Sequence, residues 1–125
     1  MIVTLRTASA TWNQKKKIKE ITFGELPVEI DTSIMSHLKW EREFEPTVKC
    51  TLVEYYDRVN AWIKDKNVAK AKYLGLVKLL YCYVNSEKLP TFDHFLKLFE
   101  PETLEYNLEL ISEVVTAVGK IVPKN

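Results

Sequence analysis

Few residues in this chain could do chemistry on their own. His37 and His94 are its only histidines. Neither belongs to an H-E-x-x-H arrangement, which sets two imidazoles on one helix face around a metal. Both read as surface or boundary residues. Cys50 and Cys82 are the only cysteines, and both sit in apolar helical patterns outside any C-x-x-C. A free thiol in such a place behaves as a small buried hydrophobe. Nothing local pairs either thiol with a histidine as nucleophile and base. No signal peptide points to a compartment where the two would form a disulfide. Glu41, Glu43 and Glu45 alternate with Trp40, Arg42 and Phe44. Paired carboxylates do acid–base work when their surroundings split their pKa values, but these three lie in a charged run at a helix end and read as a solvated face. Tyr55, Tyr56, Trp62, Tyr73, Tyr81 and Tyr83 could box a cofactor, yet their spacing is that of core-facing stripes. With 3 glycines in the whole chain, no phosphate-cradling loop is present. No catalytic, cofactor or metal residue is expected. The Tyr and Trp surplus suits half-buried boundary positions and protein interfaces.

Composition sets the frame for these residues. The chain has 125 residues, 46% hydrophobic and 28% charged, which fits one globular domain with one core. Its 18 basic and 17 acidic residues leave a net charge of +1. A nucleic-acid binder needs a cationic surplus to neutralise phosphates, and none is present. The run Lys15-Lys16-Lys17-Ile18-Lys19 reads as a solvated turn leading into a strand. The alternative function is a small α-helical nucleic-acid-binding regulator, with a Phe92–Phe99 helix and a Thr103–Lys120 helix as its pair. That second helix opens on Glu102, Glu105, Glu109 and Glu113, which a DNA backbone would repel. No apolar run approaches the ~20 residues of a membrane span.

Positioning falls to a β-element followed by helices. Residues 2–6 and 18–23 are β-prone, the polar stretch 7–17 between them suits a loop or the far end of a hairpin, and Pro27 ends the region. Asp31-Thr32-Ser33 offers N-cap oxygens to a helix over 34–44, stopped by Glu45-Pro46. Val48, Leu52, Tyr55, Tyr56, Val59, Trp62 and Ile63 form one stripe, which predicts a helix over 47–64 broken by Asp65-Lys66-Asn67. Residues 68–84 are apolar all round, as an enclosed central helix is. A loop over 85–90 leads to Thr91, an N-cap for a short helix. Pro101 suits the first position of a last helix running to about Lys120, with Gly119 and Pro123 ending it. The expected fold is mainly α: about five helices in one compact bundle, with a β-element over 1–26 and a helical part over 27–122.

Taken in order, these segments resemble the tail assembly chaperones of long-tailed phages of Gram-positive bacteria and their prophages. An extended N-terminal piece comes first. Asp31-Thr-Ser-Ile-Met-Ser-His-Leu-Lys-Trp-Glu-Arg-Glu-Phe44 is similar to the family's first helix. The Leu- and Tyr-rich Leu76-Val-Lys-Leu-Leu-Tyr-Cys-Tyr83 follows. Pro90-Thr-Phe-Asp-His-Phe-Leu-Lys-Leu-Phe99 resembles the segment with an acidic residue, a phenylalanine and a short helix. The resemblance covers about residues 18–120 and rests on packing motifs. It implies a non-catalytic chaperone in the host cytoplasm, absent from the mature virion. Such a protein holds the aggregation-prone tape-measure protein and recruits tail-tube subunits. In the family a longer frameshifted form is often made, and no catalytic residues carry over. A holdase needs apolar surface with charged rims. The candidates for it are Trp12 in the N-terminal loop, Trp40 and Phe44 on the first helix, and Phe92, Phe95 and Phe99 on the short one; all but Trp12, which stands alone in a polar stretch, read first as core. Two N-terminal strands would also expose unpaired edges, so residues 1–26 are expected to pair by strand addition with a neighbouring copy, giving a homo-oligomer, or with a client segment.

Overall fold

Two long strands open the chain. The structure, a computed structural model, describes residues 1–64, 73–85 and 91–119. Strand β1 runs Ile2–Asn13 and β2 runs Ile18–Ile30. They pair antiparallel, with Ile2 opposite Glu29 and Asn13 opposite Ile18. The hairpin is far longer than the small element expected. Of the two readings of 7–17, the far end of a hairpin holds: Thr7 to Asn13 continues the strand, because it pairs residue for residue with β-prone Ile18 to Gly24. Cross-strand partners, rather than a segment's own polarity, decide strand formation.

Nor does Pro27 end β2. The Ile30 N–H donates to the Met1 carbonyl at 2.8 Å, so even-numbered residues of β2 bond to β1 and odd-numbered ones face away. Pro27 therefore lacks only an outward N–H, and the ladder loses nothing. The strand thus crosses the expected boundary at 26/27. A two-residue β3, Val84–Asn85, pairs with Ile30 and Glu29 on the far side, giving the sheet order β1-β2-β3.

Six helices lie among the described residues: α1 Ile34–Glu43, α2 Glu45–Val48, α3 Leu52–Lys64, α4 Tyr73–Tyr83, α5 Phe92–Leu96 and α6 Pro101–Val118. The class is mixed α and β: a helical part preceded by a β-element, as expected, but with a long hairpin and a third strand in place of the small element of a mainly α fold. The helix expected over 47–64 is split. Lys49 adopts a left-handed backbone at φ 60 and closes α2. Thr51 then opens α3 with a capping box: Glu54 N–H donates to Thr51 Oγ1 at 3.2 Å, and Thr51 N–H donates to Glu54 Oε1 at 3.3 Å. Ser33 caps α1 and Thr91 caps α5, as their types foretold. Pro101 opens α6 and Gly119 closes it. The expected break at 65–67, the start of the central helix at 68–72, the loop over 86–90 and the terminus from 120 lie outside the described residues.

Helix α4 is the enclosed one: Leu76, Val77, Leu79, Leu80, Tyr81, Cys82 and Tyr83 are all buried. Leu5, Val28 and Ile30 from the base of the hairpin enter the same core. Gly75 lets α3 come close, since a Cβ there would overlap the Tyr55 hydroxyl.

Helix α6 grips the edge of β1 through the side chain of Asn107. Asn107 is 1% exposed. Its Oδ1 accepts from the Arg6 N–H at 3.0 Å, and its Nδ2 donates to the Arg6 carbonyl at 2.8 Å and to the Thr103 carbonyl at 2.9 Å. The amide thus copies a strand residue along the edge of β1. Above it, the Arg6 guanidinium lies 4.3 Å from the centre of the Tyr106 ring. Asn107→Ala leaves both Arg6 backbone groups without a partner and is expected to cost about 2–3 kcal/mol. Urea unfolding measures the loss, and hydrogen exchange at the Arg6 amide locates it.

Candidate functional site

Five of the six side chains expected to face a partner belong to one aromatic cluster. Trp40 and Phe95 are 0% exposed and Phe44 is 5% exposed; Phe92 and Phe99 are half-buried. Ring centres lie 5.3 Å apart for Trp40 and Phe44, 4.9 Å for Phe44 and Phe92, and 5.2 Å for Phe95 and Phe99. Tyr81 of α4 joins them, 5.2 Å from Phe92 and 5.5 Å from Phe95. The Trp40 indole N–H donates to the Cys50 carbonyl at 2.8 Å. Trp40, Phe44 and Phe95 are therefore core, and the expectation that they form contact surface is corrected. Aromatic pairs at these separations gain edge-to-face energy on top of burial.

Trp12 differs, at 59% exposed. It stands on β1 near the tip of the hairpin, not in a loop. Ala8 lies opposite Phe23, Ala10 opposite Ile21 and Trp12 opposite Lys19, so these residues share one face of the hairpin. Phe23 is also 59% exposed. The turn beyond, with Lys15, Lys16 and Lys17, is exposed.

Helix α1 carries a second apolar surface, which the sequence reading did not single out. Ile34 is 69% exposed, Met35 60% and Leu38 49%. On a helix, Ile34 and Leu38 point one way while Ser36 and Trp40 point nearly the other. A single 10-residue helix cannot bury both stripes. The core takes the Trp40 side, whose ring is the larger. The Ser36 hydroxyl, carried in with it, donates to the Ser33 carbonyl at 2.8 Å. Two apolar stripes on so short a helix were the available signal for Ile34, Met35 and Leu38.

A groove separates α1 from the end of α4, lined by Met35, Leu38, Lys39, Arg42, Cys82 and Val84 among others. Lys39 spans its floor. The ammonium donates to the carbonyls of Tyr81 at 2.9 Å and Val84 at 3.1 Å, closing the C-terminal end of α4. It also lies 3.9 Å from the centre of the Tyr81 ring. Burial pulls the Lys39 pKa below the usual lysine range. Burial pushes the Cys82 thiol up to about 12, against the opposing pull of Lys39. A thiol held protonated is a poor nucleophile. The Tyr81 hydroxyl is buried with no partner among the described residues.

The histidines and glutamates do not converge. His37 lies on α1 and His94 on α5, and no group of three metal-ligating side chains occurs among the described residues. Glu41 and Glu43 are exposed. The start of α6, the end a recognition helix would offer to DNA, is occupied: Lys19 holds Glu100 at 3.2 Å and Glu102 at 3.1 Å. No helix among the described residues is long and apolar enough to cross a membrane. Compared with protein-family models, curated proteins and solved structures, the chain matches none.

The thiol carries a prediction. Folding raises the Cys82 pKa from 9.0 to about 12, so the native state keeps the proton where the unfolded chain loses it. This contribution to stability is full below pH 9 and is lost as pH climbs through 9–12. Cys50 is buried as well. A thiol-titrating disulfide reagent at pH 8 is expected to label neither cysteine in the native protein, and both in denaturant.

Proposed function

We propose that this chain is a non-catalytic protein-binding chaperone of the kind that assists phage tail assembly, holding a tape-measure segment and recruiting tail-tube subunits. The observation that carries the binding role is the outer face of α1. Ile34, Met35 and Leu38 stand in water beside a groove with Lys39 in its floor and Arg42 in its lining. Neighbouring exposed apolar side chains with a charged rim mark contact surfaces on proteins. Trp12 and Phe23 add a second apolar surface on the hairpin. The tail-assembly part of the reading rests on the order and wording of the segments from Asp31 to Phe99. The client is an extended, apolar protein segment, and the chemistry asked of the chain is burial alone.

Co-expression with a fragment of tape-measure protein tests this. The fragment is expected to stay soluble with the chain and to precipitate without it. Replacing Ile34 and Leu38 together by Asp should change stability by only about 0.5 kcal/mol, as exposed sites do. Client binding should weaken roughly tenfold or more, as it does when a central apolar anchor is lost. Equal precipitation with and without the chain would refute the proposal. The exposed Lys15–Lys17 turn favours one other reading, the nucleic-acid-binding regulator. A gel shift at low salt that fades steeply as salt rises would support that reading instead.

A further inference from the structure

The hairpin treats its two edges differently. On β1 the outward backbone groups belong to even-numbered residues. Asn107 takes both of those on Arg6, and the Ala8 N–H donates to the Leu98 carbonyl at 2.8 Å. On β2 the outward groups belong to odd-numbered residues. Asp31 N–H donates to the Tyr83 carbonyl at 2.7 Å, β3 covers Glu29, and Pro27 has no N–H to offer. Beyond Pro27, Lys19, Ile21, Phe23 and Glu25 have no strand beside them among the described residues. Such a free edge is a template for another strand.

We propose that a second copy of the chain pairs with this edge, β2 against β2, antiparallel about a twofold axis at Thr22. Lys19 then faces Glu25 of the second copy, Ile21 faces Phe23, and Thr22 faces its own counterpart. Opposite charges, apolar pairs and threonine pairs are the cross-strand neighbours that stabilise a sheet. The neighbouring registers are worse. A shift one way sets Lys19 against Phe23. A shift the other way sets Glu25 against Ile21 and Lys19 against Pro27, which cannot donate. A one-residue slip sets outward groups against inward ones and makes no ladder. The contact uses the same patch on both copies and closes at two. The result is a continuous run of four long strands, β1-β2-β2-β1, formed independently of any client.

Light scattering on the full chain, together with two kinds of variant, tests this. The expected mass is that of two chains. Phe23→Pro removes an outward N–H, as Pro27 already does, and should give the mass of one chain with the far-ultraviolet circular dichroism unchanged. Thr22→Cys provides a readout that needs no loss of folding. Across the twofold axis two such residues form a non-hydrogen-bonded pair within disulfide reach, so mild oxidation should cross-link them. Glu20→Cys should not cross-link, because its counterpart lies four residues along, roughly 13 Å away. A single-chain mass throughout with no Thr22→Cys cross-link overturns the proposal and leaves the edge to a client strand. Cross-linking of Glu20→Cys as efficient as that of Thr22→Cys overturns the register and the proposal with it.

Discussion

A hairpin of 12 and 13 residues cannot hold itself together in water, so its anchorage on the helices is the constraint on which this structure turns. Two anchors meet it. Leu5, Val28 and Ile30 enter the core at the base of the hairpin. Asn107 ties the edge of β1 to α6 with two hydrogen bonds to a single residue. The second anchor is costly to build. A buried amide must satisfy its polar atoms, and Asn107 does so by also donating to Thr103 within its own helix. Where the anchors end, the hairpin projects. Its tip is held back only by the exposed pairs from Lys19 to Glu100 and Glu102, a contact of small value in water.

The helices answer to a different demand, the burial of one aromatic cluster. Trp40, Phe44, Tyr81, Phe92 and Phe95 come from three helices, and their rings lock α1, α4 and α5 together. That choice of inside fixes the outside. With Trp40 committed inward, Ile34 and Leu38 of the same helix have no core to enter. Lys39 is caught between the two faces. Its stem lies over the Tyr81 ring while its ammonium closes the carbonyls at the end of α4.

The sequence made the helical stripes legible and left their orientation open. Periodicity finds α3, α4 and α6 because each carries one dominant stripe or is apolar all round. It also finds the cap at Thr91 and the proline that opens α6. It finds α1 but leaves its inner face open, because two stripes compete on ten residues and only the packing partner chooses between them. The Thr51–Glu54 capping box was there to be read, and it would have split the helix expected over 47–64. The length of β1 was in fact written in the residues: Thr7, Ala8, Ser9, Ala10, Thr11 and Trp12 alternate polar and apolar, the period of a half-buried strand. The signal is faint because the apolar partners are mostly alanines and the buried face changes along the strand, with Leu5 inward on one side and Ala8 on the other. The open edge of β2 was foreseen only as a general liability. Its self-complementarity appears once the register to β1 settles which residues face outward.

The exposed surfaces lie on a fixed frame, and this bears on how tightly they could bind. The junction from β2 to α1 is closed by short bonds. Asp31 N–H reaches the Tyr83 carbonyl at 2.7 Å, Ser33 N–H reaches Asp31 Oδ1 at 2.8 Å, and Met35 N–H reaches the Ser33 hydroxyl at 3.3 Å. The Ser33 hydrogen bonds hold the Asp31 carboxyl below its ordinary pKa, so the bonded, ionised form is the one present near neutral pH. Ile34 and Met35 follow at once, in a helix already capped. Binding on them therefore orders side chains and not backbone, and the largest entropic cost of capturing a segment falls on the client. Under the proposed chaperone role, a flexible client would meet a receiving face that is already formed. In this fold that face exists because Trp40 turned the other side of α1 inward.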